Sequence, residues 1–396
     1  MSGTDSRPLI AHVVYRFDVG GLENGVINLI NRLPADRFRH AVIALTRVMD
    51  FRERIERGDV EFVSLNKAPG HGIRLVPQFV RLFRRLRPSV VHSRNLAALE
   101  AAPAAWLAGV PVRLHGEHGW DVTDLDGRNL RNRVIRRVYR PFVSHYVTVS
   151  AHLARYLERR IGLGPDRVAQ IYNGVDTQRF APAEAPPRID GCPFDPAQHR
   201  LVCAVGRLQP VKDHATLLRA FARALDLDAA ADRLRLVLVG DGPLRDELQQ
   251  LAASLRIAER VWFAGSRDDV ADVLRGVHCF VLPSLAEGIS NTLLEAMATA
   301  LPVVATHVGG NVELVDHDAT GTLVPAAQPE SMARAIANYF RDPARARAHG
   351  GAARAAAVQR FSLARMVNEY ATLYESLLDA ASPRHRADPT VSSRVH

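Results

Sequence analysis

Cysteine is scarce: Cys192, Cys203 and Cys279 are the only three in 396 residues. They are odd in number, far apart and without metal-ligand spacing, which excludes a disulfide framework or a zinc cage and leaves core packing in a reducing compartment. No apolar run is long enough to cross a bilayer, and the opening MSGTDSRPLIAHVVYRF lacks the basic, apolar and small-residue order of a signal peptide. A cytoplasmic location is the expectation. Short-period repeats are missing too, which removes solenoids. The arginines lack the interleaved aromatics of a nucleic-acid stacking platform, and no nucleic-acid recognition module is visible. The helical H-E-x-x-H spacing is also absent.

What is present is a globular composition, 47% hydrophobic and 23% charged. An excess of 51 Lys+Arg over 42 Asp+Glu gives a net charge of +9, most of it from arginine, and points to an anionic partner. Two stretches concentrate the charge: RLVPQFVRLFRRLRP (74–88) and RNLRNRVIRRVYRPF (128–142). In the first, Phe79, Leu82, Phe83 and Leu86 recur at helical spacing while Arg81, Arg84 and Arg85 fall mostly on another face. Amphipathicity alone leaves two readings open for each stretch, a helix packed on its own domain or one lying on an anionic membrane.

From residue 8 onward, short Val/Ile-rich runs alternate with helical patterns. The runs PLIAHVVYRF, HAVIALT, VEFVSLN, SVVHSRN, VPVRLHGEH, HYVTVSA and VAQIYNGV predict parallel strands of one doubly wound domain over 1–180. FAPAEAPPRIDGCPFDP (180–196) lacks a sustained apolar period, and 181–196 reads as a linker. The alternation restarts in RLVCAVGRL and continues through RLRLVLVGDGP, RVWFAG, HCFVLPS and LPVVAT, predicting a second α/β domain over 197–360. A final amphipathic helix is expected over 361–380, packing back towards the first domain, and a disordered polar tail over 381–396. Two such domains would place the carboxyl ends of both sheets along an inter-domain cleft, where ligands of open parallel sheets bind.

Several loops at those ends carry candidate chemistry. GGLENG (20–25) follows the first strand, and its paired glycines, Gly20 and Gly21, would let a backbone approach a phosphate at a helix start; a plain tight turn is the competing reading. In VGRLQPVKDHATLL, Arg207 and Lys212 bracket the loop after an apolar strand, where two cations could neutralise a diphosphate as it leaves. GDGP (240–243), with Asp241, fits a nucleoside edge or a simple turn. THVGGNVEL (306–314) is another glycine turn after a strand. In PVRLHGEHGWD (111–121), His115 and His118 sit at a strand end beside Glu117 and Asp121, and histidine suits holding or deprotonating a hydroxyl. Finally, EGISNTLLEAMATALPVVA begins at 287. Glu287 precedes a helix starting at Ser290 or Asn291, and Glu295 lies within or just past its first turn, so a helix N-terminus suited to an anion stands between two carboxylates.

The ordered set of the Gly-Gly loop, IYNGVD (171–176), VGRL with Lys212, GDGP, EGISNTLLEAMA and PVVAT closely resembles the nucleotide-sugar glycosyltransferases of family 4, with the GT-B fold, over roughly residues 8–380. That resemblance implies retaining transfer of a sugar from a nucleoside-diphosphate donor to an acceptor hydroxyl. Its E-x7-E pattern falls on Glu287, near donor-sugar hydroxyls, and Glu295, near the ribose. Gly288, Asn291 and Thr292 lie in the loop whose backbone would hold phosphate or ribose. Arg207 and Lys212 match the diphosphate-binding pair, Gly20 and Gly21 the loop meeting donor and acceptor, and His118 the sugar-contacting histidine, with His115 competing. Asn173 is a further acceptor-side or supporting candidate. No cofactor or metal is implied, so the Asp124-x-Asp126 match is expected to be incidental, and the usual front-face mechanism gives Glu287 no nucleophilic role. IAHVVYRFDVGGLENGVINLIN and RLHGEHGWDVTDLDG also resemble sugar transferases of exosortase (PEP-CTERM) exopolysaccharide systems, which implies a lipid-linked acceptor on the cytoplasmic leaflet. Competing readings are a sugar-nucleotide epimerase or phosphorylase of the same architecture, or a non-catalytic sugar-nucleotide sensor.

Overall fold

A computed structural model describes residues 5–68, 70, 72–119, 124, 127–227 and 231–382. The chain divides into two compact units. The first holds the described residues of 5–119, 127–172 and 364–382; the second holds Asp124 and the described residues of 173–363.

In the first unit the order is β1 (Leu9–Val14), α1 (Gly21–Arg32), β2 (Arg39–Ala44), β3 (Glu61–Ser64), α2 (Val76–Leu86), β4 (Val90–Arg94), α3 (Asn95–Ala98), α4 (Ala101–Leu107), β5 (Val112–Glu117), α5 (Leu130–Tyr139), β6 (His145–Thr148), α6 (Ala151–Tyr156) and β7 (Val168–Gln170). Its seven strands form a wholly parallel sheet ordered β3-β2-β1-β4-β5-β6-β7. Parallel strands inside such a sheet are covered on both faces, which is why β1 and β2 read as apolar runs, whereas the edge strands β3 and β7 have no buried residue. Alternate residues serve opposite faces: Ala11 and Val13 pack with Phe79, Leu82 and Phe83 of α2, whereas Val14 packs with Val26 and Ile30 of α1.

The second unit runs β8 (Arg200–Val205), α7 (His214–Leu227), β9 (Leu234–Val239), α8 (Arg245–Ser254), β10 (Val261–Gly265), α9 (Val270–Arg275), β11 (Cys279–Leu282), α10 (Asn291–Ala298), β12 (Val303–Thr306), α11 (Asn311–Leu314), β13 (Thr322–Val324), α12 (Pro329–Arg341) and α13 (Pro343–Arg360). Its parallel sheet is ordered β10-β9-β8-β11-β12-β13. Cys203 and Cys279 are buried within β8 and β11. The edge strand β13 has no counterpart among the sequence-derived strands.

The chain passes from the first unit to the second at Tyr172/Asn173, so the proline-rich 181–196 lies within the second unit, where Ile189 is buried. The last helix, α14 (Leu363–Ala381), belongs almost entirely to the first unit: Tyr374 is buried against Phe38 and donates or accepts at His92 Nδ1, 2.8 Å away. The tail expected to be disordered lies outside the described residues from 383 onward. No helix of the described residues is long and apolar enough to cross a membrane.

Candidate functional site

Strand order reverses beside β1 in the first unit and beside β8 in the second, so the loops after β1 and β4, and after β8 and β11, stand at topological switch points. Neighbouring strands whose helices leave on opposite sides open a crevice between those loops.

At the second switch point, β8 ends and Gly206 leads into Arg207, whose side chain is exposed. A tight turn at Pro210–Lys212 follows, and Asp213 takes a left-handed φ of 45° before α7 begins. The loop after β11 lies against this turn, since Leu285 N–H donates to Val211 O at 2.8 Å. Lys212 Nζ then donates to Glu287 Oε1 at 2.5 Å, and Ser284 Oγ–H donates to the same oxygen at 2.6 Å. Ser284 is fixed in turn: its carbonyl accepts from Thr306 Oγ1 at 2.6 Å, and Asn311 Nδ2 donates to Thr306 O at 3.0 Å, all three residues being buried. Glu287 is thus held by a chain of side chains from two further strand ends. Ser284, Thr306 and Asn311 were not singled out from sequence as residues; the signals were a serine three residues before the glutamate in PSLAEG and the glycine turn THVGGNVEL, which contains the other two.

Two glycine turns shape this site from behind. Gly240, at φ 130°, leaves so little room that a Cβ would stand 2.1 Å from Gly206 O, and Leu208 N–H donates to Asp241 O at 3.0 Å. GDGP therefore braces the Arg207 loop through its backbone, while the Asp241 carboxylate accepts from Gly242 N–H at 2.8 Å and lies 3.8 Å from Arg245. Gly309, at φ 48°, does the same for the other loop: a Cβ there would meet Glu287 O at 1.9 Å. Only glycine allows both the left-handed backbone and the close approach.

Helix α10 starts as expected, with Ser290 as N-cap accepting from Leu293 N–H at 3.3 Å. Asn291 Oδ1 accepts from Asn173 Nδ2 at 2.8 Å, and the Ser290 and Thr292 hydroxyls are 3.2 Å apart. Gly288 lies beside Gly310, whose N–H donates to Glu287 O at 3.3 Å. One turn further on, burial pushes the Glu295 carboxyl up to about 7, with Arg179 opposing the shift. The structure therefore brings together Lys212, Glu287, Gly288, Asn291, Thr292 and Asn173 around one helix N-terminus, with Arg207 on the loop that carries Lys212.

In the first unit, Gly20 caps α1 with φ −172°, an extended backbone open to any residue, and Gly21 is the first residue of the helix. His118 lies just past β5, its N–H donating to Asn95 Oδ1 at 2.9 Å at the end of β4. Burial and then the nearby Arg94 guanidinium lower its imidazole to about 3, so at neutral pH it is an uncharged hydrogen-bonding ring and a weak base. His115 is fully buried inside β5, with Nδ1 2.9 Å from Ser93 Oγ and Nε2 3.5 Å from Glu117 Oε1. Burial would raise Glu117, yet Arg136, which forks onto both its oxygens at 2.6 and 3.0 Å, holds it well below the usual carboxylate range. Asp124 is buried, and Asp121 and Asp126 lie outside the described residues.

Sequence reasoning missed a buried network on the face of this sheet that points away from His115 and borders His118. His12 Nε2 is 3.0 Å from His40 Nδ1, and Arg94 Nη1 donates towards His12 Nδ1 at 3.0 Å and Nη2 towards His92 Nδ1 at 3.2 Å. Parallel register puts His12 beside His92, something spacing along the chain cannot show. Burial, followed by the Arg94 charge, keeps His12 and His92 neutral.

Two doubly wound parallel-sheet units, the second with an ammonium and a carboxylate meeting beside a helix N-terminus at its switch point, have the GT-B fold. Residues 19–179 match the family model described as Glycosyltransferase Family 4, and residues 199–342 match that described as Glycosyl transferases group 1. Matched in both halves, the chain belongs to the family 4 type of glycosyltransferase. It is 28% identical over 320 residues to the putative glycosyltransferase EpsF of Bacillus subtilis, covering 76% of this chain and 79% of that one. It is 24% identical over 360 residues to the UDP-Gal:alpha-D-GlcNAc-diphosphoundecaprenol alpha-1,3-galactosyltransferase of Escherichia coli, covering 86% and 90%. In fold it is similar to Anabaena HepE, solved in complex with UDP and glucose, with a TM-score of 0.78 at 23% identity over 93% of this chain and 100% of that one.

Proposed function

We propose that the protein is a retaining hexosyltransferase that moves a sugar from a nucleoside diphosphate, with uridine as the favoured base, to a hydroxyl of a lipid-linked acceptor in cell-surface glycan assembly. The observation that carries this reading is the Lys212–Glu287 contact beside the start of α10. A carboxylate for sugar hydroxyls, an ammonium for the diphosphate and the positive end of a helix then occupy one place. The uridine donor and lipid-diphosphate acceptor are argued from the E. coli relative's reaction, and the PEP-CTERM exopolysaccharide setting from the sequence resemblance alone.

In the proposed reaction the bond from the anomeric carbon to the diphosphate oxygen breaks as the acceptor oxygen bonds to that carbon on the same face. The acceptor proton passes to a donor phosphate oxygen, and the nucleoside diphosphate leaves with the electron pair. Arg207, Lys212 and the α10 N-terminus stabilise the charge gathering on it, so the chemistry is assigned no metal. Glu287 orients the sugar, Glu295 the ribose, and Asn173 keeps Asn291 in place. His118 accepts a hydrogen bond from a sugar or acceptor hydroxyl, and Gly20 and Gly21 leave space for the substrate at the start of α1.

A panel of nucleotide sugars in a thermal-shift assay, followed by turnover with the best donor, tests the reading. A ligand at a hundred times its Kd adds about 2.7 kcal/mol to stability. One uridine-diphosphate sugar should raise Tm clearly and be consumed when a polyprenyl-diphosphate-linked sugar is added as acceptor. A flat response to every nucleotide sugar would overturn the proposal.

A further inference from the structure

Helix α5 is amphipathic the wrong way round for a soluble surface. Its buried residues are the polar Asn132 and Arg136, the latter paired with Glu117. The face turned to solvent carries Leu130, Val134 and Val138, four residues apart and 66%, 47% and 60% exposed. A surface helix ordinarily turns its apolar stripe inward. The other arginine-rich stretch behaves in that ordinary way: α2 buries Phe79, Leu82 and Phe83 in the core and exposes Pro77 and its arginines. The structure thus separates two segments that look alike in sequence.

The stripe is continued and framed by its neighbours. Trp106 and Leu107, at the end of α4, are about half exposed, and the Trp106 ring meets Phe142 just beyond α5 at a centroid distance of 5.6 Å. Arg128, Arg131 and Arg137 are exposed, and 128–142 contains no acidic residue. The adjoining turn at Leu157–Ile161 adds exposed Arg159 and Arg160 against one glutamate, Glu158, and Arg137 Nη2 donates to Arg160 O at 2.8 Å.

We propose that the α5 face, with Trp106 and Leu107, is the surface by which this protein docks on an anionic lipid bilayer, which rests on the reading above of a lipid-linked acceptor. An exposed tryptophan beside an aliphatic stripe within a ring of arginines is the chemistry of an interfacial helix: side chains enter the acyl boundary while guanidinium groups meet lipid phosphates. A second copy of the chain is a poorer occupant, because a two-fold contact would set these arginines against each other.

The test is flotation of the full chain with vesicles of phosphatidylglycerol mixed with phosphatidylcholine, and of phosphatidylcholine alone. Wild type should float with the anionic vesicles and release as salt is raised. The Leu130→Ser/Val134→Ser/Val138→Ser variant should lose about tenfold or more in partitioning, as should Arg131→Gln/Arg137→Gln. Arg81→Gln/Arg84→Gln on α2 should stay within about twofold of wild type. The proposal is overturned if wild type ignores anionic vesicles or if the serine variant floats as wild type does. It is equally overturned if wild type is a dimer that the serine variant makes monomeric. Donor-induced thermal shifts recorded without vesicles separate the two readings: a wild type that floats but answers no nucleotide sugar retains the docking surface and loses the transferase assignment.

Discussion

Lys212 and Glu287, 75 residues apart in the chain, meet at 2.5 Å because the strands before them, β8 and β11, are neighbours at the place where the strand order reverses. Proximity of an ammonium and a carboxylate is thereby a product of topology.

Removing the ammonium tests its part in leaving-group departure. Glu287 keeps its bond from Ser284, so Lys212→Ala deletes one charge and leaves the glutamate tethered. The expected result is a kcat lowered by roughly two to three orders of magnitude with a much smaller change in nucleotide affinity, as for other preorganised electrostatic groups. Single-turnover rates with near-normal values would remove the role.

The Glu295 carboxyl gives a pH signature. Its folded-state value, raised to about 7 from 4.5, means that its contribution to stability is complete below 4.5 and is lost as pH rises through 7. Melting curves of Glu295→Gln, which cannot ionise, should therefore gain on wild type between about pH 5 and about pH 8. If ribose hydroxyls donate to this carboxylate, donor affinity in wild type should tighten over the same interval and stay flat in the variant.

Acid should act more strongly on the first unit, because the second holds fewer and milder cases, His214 and His278 lowered to about 4 and His349 lowered, all by burial. Burial holds His40 and His118 at about 3 and His12 and His92 well below their ordinary 6.5, so the unfolded chain takes up protons that the folded one refuses. Stability from these rings is present above 6.5 and lost as pH falls below it. Urea midpoints should drop between about pH 7 and about pH 5, and hydrogen exchange at that acid pH should rise first in β1, β2 and β4; uniform loss across both units would refute the cause.

Chelation provides a fourth check. With positive charge for the diphosphate assigned to Arg207, Lys212 and the helix end, transfer should continue in EDTA at its untreated rate. Strict dependence on added divalent ion would transfer that duty away from these residues.

Much of this was legible in the sequence, for identifiable reasons. Strands buried on both faces announce themselves as apolar runs, and glycine and proline mark the turns between them. The Lys212 and Glu287 loops stand out as charged interruptions at strand ends. Hidden were features set by register and packing: the His12–His92 pairing, the Ser284–Thr306–Asn311 support behind Glu287, and the opposite fates of α2 and α5, whose sequence patterns are alike. The shift of the unit boundary to Tyr172/Asn173 was hidden too, because an irregular proline-rich segment can lie on one unit as readily as join two.

Tyr374, in the last described helix, reaches back 282 residues to His92. On the ribosome, then, the portion of the chain made first cannot seal its interior until the final helix has emerged, and the middle portion has the opportunity to fold while the earlier one still waits. Loss of a few dozen residues at the carboxyl terminus would strike hardest at the amino-terminal half.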